Sequence, residues 1–181
     1  ELLHLPNYLT AKADPAVLRP GKMGKLVVTL KSNQLHGLGL TQSSVYLSRF
    51  AGDRVNKDNE LGISVTLLPN FTTAELNSPQ APLAEMATSI DLGAFNGKSK
   101  LKGTVVLTNK GQSPLVINML QVYNPGISVA LSKTTLRPGE STDMKIVVSS
   151  AVERFRGSRK VLLITNDPRH PKISLDVITK K

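Results

Sequence analysis

A chain with no cysteine must draw any chemistry from histidines, carboxylates, hydroxyls or cations. His4, His36 and His170 are widely separated, with no two at metal-ligand spacing, so each reads as an isolated surface or strand histidine and no metal is expected. The run DRVNKDNE (Asp53 to Glu60) alternates oxygen-bearing residues but lacks the invariant glycine and the terminal glutamate spacing of an EF-hand, and two cations interrupt it; it reads as a hairpin loop. TNDPRHPK (Thr165 to Lys172) offers Asn166 and Asp167, yet Asn-Asp-Pro is first of all a turn signature. No serine sits in a nucleophile elbow and no glycine-rich phosphate loop is present, so no catalytic residue and no cofactor are expected.

Cations are the chemistry in excess. Lys and Arg number 23 against 13 Asp and Glu, a formal net charge of +10. Arg154, Arg156, Arg159 and Lys160 cluster around Gly157, and Lys98, Lys100 and Lys102 alternate onto one side of a hairpin near Lys110. Either group has the composition to hold an anionic polymer, although a solvated face is the plainer use. Specific nucleic-acid recognition is not expected, because no stacking aromatics interleave with the charges.

What positions these residues is a set of strands. Period-two alternation runs through Leu26, Val28 and Leu30 and through Met144, Ile146 and Val148. Short β-branched runs recur at Val45–Phe50, Leu61–Leu68, Thr104–Thr108, Leu115–Val122, Ile127–Leu131, Val161–Thr165 and Ile173–Ile178. The single helical candidate is APLAEMAT, Ala81–Thr88. The expected fold is all-β, with a core of Leu, Ile and Val, since aromatics make up 4% of the residues. No apolar run approaches the roughly 18 residues that a membrane span needs.

The tetrapeptide LRPG occurs twice, at Leu18–Gly21 and Leu136–Gly139. Pro20-Gly21 and Pro138-Gly139 fit the two central positions of a type II turn, and the preceding Leu is placed to plug the interior. The flanks repeat as well: Val45-Tyr46-Leu47 follows the first copy as Val161-Leu162-Leu163 follows the second. Shared order over this length predicts two immunoglobulin-like β-sandwiches in tandem. The first spans residues 1–72, a Pro-rich linker spans 73–87, and the second spans 88–181 with seven strands. Only 17 residues precede the first LRPG, so the first sandwich lacks its N-terminal strands. They are expected either upstream of Glu1, the favoured reading for a chain that does not begin with Met, or from a strand donated by another segment or chain.

The second half also carries a family pattern. Its residues are Asn109, Gly111, Ser113, Pro114, Leu115 and Ile117, then Leu136, Pro138, Gly139 and Glu140, then Gly157, then Asn166, Asp167 and Pro168. In this order they resemble a domain-of-unknown-function family of exported Bacteroides-type proteins, related in pattern to the ASH and major-sperm-protein group of immunoglobulin-like domains. SIDLGAF, from Ser89, is similar to that family's first strand. Members often carry a Cys-Gly-Cys patch where this chain reads Val122-Tyr123-Asn124-Pro125-Gly126, so no redox or metal role carries over. The resemblance implies a periplasmic, cell-surface or secreted protein without established activity. The function expected is therefore a non-enzymatic interaction, assembly or adhesion module. It would bind a protein partner through strand edges or loops, with the stretch Pro69–Ser89 as second choice. The alternative is binding of an anionic glycan or envelope surface through the Lys and Arg clusters.

Overall fold

The computed structural model describes residues 1–50, 52–122, 124–154 and 157–180. The chain forms two compact units, Glu1–Leu67 and Leu68–Lys181. The fold is all-β.

In the first unit a three-stranded sheet joins β1 (Leu2–Leu3), β4 (Gly39–Leu47) and β5 (Glu60–Leu67), while β2 (Leu9–Asp14) and β3 (Lys25–Leu30) form a two-stranded sheet. The β4–β5 connection is the DRVNKDNE loop. Asn59 organises it, accepting from Asn56 N–H at 2.9 Å and donating to Arg54 O at 3.0 Å.

The second unit opens with a one-turn helix, α1 (Thr73–Leu76), then β6 (Ala84–Glu85), β7 (Ser89–Ala94), β8 (Lys100–Asn109) and β9 (Leu115–Val122). It continues with β10 (Ile127–Leu131), β11 (Thr135–Leu136), β12 (Ser141–Ser149), β13 (Lys160–Thr165) and β14 (Lys172–Lys180). One sheet has the order β10-β12-β8-β6 and the other β11-β9-β13-β14-β7, the last pair parallel. Their inner faces enclose Leu107, Leu115, Leu136, Met144, Ile146, Val148, Leu163 and Leu175. Each such side chain contributes about 1.5–3 kcal/mol by leaving water. The alternation seen in sequence is thus the inside–outside alternation of an immunoglobulin-like sandwich.

Two expectations are corrected. Residues 73–87 are not a free linker: Lys110 N–H donates to Leu83 O at 2.7 Å, and β6 pairs with the end of β8. Nor is Ala81–Thr88 helical. Ala84 N–H donates to Asp167 Oδ2 at 2.9 Å, a partner that an extended backbone reaches and a helical turn would hide. The helical turn lies earlier, where Thr72 and Glu75 form a capping box.

Candidate functional site

The carboxylates and amides that invited a chemical reading are engaged in holding the fold. Asp167 is fully buried; besides Ala84 N–H it accepts from Arg169 N–H at 2.9 Å and meets His170 Nδ1 at 3.1 Å. Asn166 takes Val116 N–H at 2.7 Å. Buried Asn109 accepts from Gly111 N–H at 2.9 Å and donates to Leu136 O at 3.0 Å. The Arg49 guanidinium donates two hydrogen bonds to Asp53, of 2.8 and 3.0 Å, and holds that carboxyl's pKa well below the usual carboxylate range. His4 packs edge-on against Tyr46, with ring centres 5.5 Å apart. Among the described residues no three His, Asp or Glu side chains gather as metal ligands.

The cationic residues divide. Lys100 and Lys102 project from the outer face of β8, opposite Ser149 and Val147 of β12. Lys145 joins them on that face as the diagonal neighbour of Lys102, since it stands opposite Thr104. All three are exposed, and no ion pair engages them among the described residues. Lys98 belongs to the turn after Phe95 instead, its N–H donating to Phe95 O at 2.8 Å. In the other cluster Lys160 is paired with Asp176 at 3.0 Å, Arg159 is half-buried, Arg154 ends a short 3₁₀ turn, and Arg156 lies outside the described residues.

The LRPG turns are alike locally. Gly21 and Gly139 take φ of 74° and 76° beside Pro20 and Pro138. Lys22 N–H closes on Arg19 O at 3.1 Å and Glu140 N–H on Arg137 O at 2.9 Å. Their surroundings differ. Leu136 is wholly buried, whereas Leu18, expected as the matching plug, is 50% exposed. Gly139 N–H is held by Asn109 O, the last residue of β8, at 2.8 Å. Among the described residues the first unit has no strand in the position of β8.

That gap is the main feature of the first unit. Leu9 faces Leu30, Ala11 faces Val28 and Ala13 faces Leu26, as Ile127, Val129 and Leu131 face Val148, Ile146 and Met144 in the second. All three β12 residues are fully buried, while Val28 and Leu30 are 36% and 40% exposed. Among the described residues nothing pairs with the second edge of β3.

A family model for the HYDIN/CFA65/VesB-like immunoglobulin-like domain matches residues 82–178, more than half of the chain. The chain belongs to this family. The matched span opens at Pro82, so it includes β6, the strand whose two residues the sequence reading assigned to a linker. The HYDIN/CFA65/VesB-like domain is thus the second unit, latched at one end by Asn109 and Asp167. No curated protein sequence matches the chain. Among solved structures, a protein of unknown function from Porphyromonas gingivalis is similar at 20% identity and a TM-score of 0.67, over 98% of this chain and 81% of that one. A VesB protease from Vibrio cholerae aligns at 16% identity and a TM-score of 0.46, over 60% of this chain and 33% of that one.

Sequence reasoning missed Lys145 as a member of the lysine face; it expected an incomplete first sandwich but did not place Lys25, Val28 and Leu30 at the edge left open. The alternation of β3 and β12 was a usable signal for the inner faces, but alternation does not say whether a neighbouring strand exists.

Proposed function

We propose that this chain is a non-enzymatic interaction module of an exported protein, binding a protein partner through a strand edge. The observation that carries this is the uncovered face and edge of β3, whose equivalents in the second unit are sealed by β8. An exposed apolar edge of this kind favours strand addition. The engagement of Asp53, Asp167 and Glu75 in structural hydrogen bonds agrees with a non-catalytic role. The test is a photo-crosslinking residue placed at Val28 in the producing cell, with Val106 on the outer face of β8 as control position. A discrete polypeptide adduct at Val28 and none at Val106 is expected. Absence of any polypeptide adduct at Val28 overturns the reading.

A second reading rests on the Lys100, Lys102 and Lys145 face, which suits an anionic glycan or envelope surface. In that case retention on heparin weakens with added salt, and changing the three lysines to Ser abolishes it. The Arg154, Arg156 and Arg159 cluster is tested in parallel by the same change to Ser. Retention that survives both sets of changes removes this second reading.

A further inference from the structure

Resting on the strand-edge reading above, we infer that the β3 edge takes an antiparallel strand from a partner protein, apolar on its inner side and acidic opposite Lys25 and Lys31. The direction and register come from the second unit. Lys31 N–H donates to Tyr8 O at 2.8 Å, so Lys25, Val27, Thr29 and Lys31 turn their peptide groups toward β2. Those of Leu26, Val28 and Leu30 then face the open edge. At the matching place Ser149 N–H donates to Gly126 O at 2.8 Å, and Met144, Ile146 and Val148 face Val105, Gly103 and Leu101 of β8. The missing strand therefore presents apolar or small residues at alternate positions, in the places of Leu101, Gly103 and Val105.

Charge selects the occupant. Lys25 and Lys31 bracket the edge of β3, and neither has an ion-pair partner among the described residues. A second copy pairing antiparallel through its own β3, centred on Val28, would set Lys25 against Lys31 at both ends. A β8 strand swapped from a second copy would set Lys100 against Lys31, by the register that opposes Lys100 to Ser149. Like charges directly opposite are destabilising, and opposite charges stabilise. Both self-associations are thus disfavoured, and a partner strand with Asp or Glu at these two positions is favoured.

The probe is a synthetic peptide of the β8 sequence Lys100–Asn109 carrying Lys100→Glu, Lys102→Thr and Val106→Glu, compared with the unchanged β8 peptide. The acidic peptide is expected to bind about tenfold more tightly, with the gap closing as salt rises. On binding, the Val28 and Leu30 amides exchange hydrogen about tenfold more slowly, as strand addition requires. A Val28→Pro variant removes an edge-facing donor while leaving the bonds of Val27 and Thr29 to β2, and it loses the peptide; protection at buried Val45 reports that the unit still folds. A Lys25→Glu, Lys31→Glu variant reverses the preference toward the unchanged peptide. If the Val28 and Leu30 amides are already protected without peptide, in this chain or in the product isolated from cells, the edge is occupied and the inference is wrong. Peptide binding without protection there, or no binding by either peptide, also overturns it. Polypeptide adducts at Val28 combined with such a failure would leave the interaction module standing without this register and charge.

Discussion

Leu18 and Leu136 hold the same place in two copies of one turn, with the same Pro-Gly geometry after them. Local sequence made them equal, but solvent does not. Leu136 lies in a closed interior, so Leu136→Ala should cost about 2–5 kcal/mol by lost transfer energy and a residual cavity. Leu18→Ala should stay within about 0.5 kcal/mol, as changes at exposed positions do. Urea unfolding of the two variants decides this, and equal losses would mean that the first interior is closed as well. Asp167 teaches the same distinction. Its Oδ1 accepts Arg169 N–H, the local turn bond that Asn-Asp-Pro announces, while its Oδ2 reaches Ala84, 83 positions earlier. The first bond is legible from neighbours in sequence; the second exists only because β6, paired with the end of β8, brings Ala84 to the turn that follows β13.

At the level of elements, the latch around β6 depends on close backbone approach. A Cβ on Gly111 would meet Ala81 O at 2.3 Å and Leu83 N at 2.4 Å, both backbone atoms that cannot swing aside. A Cβ on Gly103 would meet Leu92 Cδ2 at 2.4 Å and Ile90 Cδ1 at 2.7 Å, the movable ends of side chains. Gly111→Ala is therefore expected to destabilise by roughly 1–3 kcal/mol and to free residues 81–85, and Gly103→Ala to cost less. Hydrogen exchange at the Ala84 and Lys110 amides measures the release directly. Misreading this segment as a linker had a physical cause: Pro79, Pro82 and the small polar residues beside them are what a linker needs, and its anchors are a few hydrogen bonds to groups distant in sequence. The capping box of Thr72 and Glu75 was visible in TTAE, a four-residue signal masked by the prolines around it.

Among the described residues the perturbed carboxylates all move one way. Glu140 is held down by Lys133 and by Arg137 N–H, Asp91 by Gly93 N–H and then Lys180, Glu75 by Thr72, and Asp53 by Arg49. Each is more acidic folded than unfolded, so its stabilising contribution is complete above the ordinary carboxylate range, near pH ~4, and is lost as pH falls through the lower folded values. The urea midpoint should hold from neutral pH to about pH 5.5 and drop below about pH 4, where a formal charge of +10 grows further. Glu140→Gln should flatten part of that drop; a midpoint rising in acid would contradict the sign. The sequence by itself determined the all-β class, the two Pro-Gly turns and the alternation of inner and outer residues, because turn chemistry and period-two patterning are local properties. Only the tertiary structure decided that Leu26, Val28 and Leu30 stand at an open edge while Met144, Ile146 and Val148 lie in a core. The two sets have the same pattern, and burial depends on whether a neighbouring strand is present, which no local pattern records.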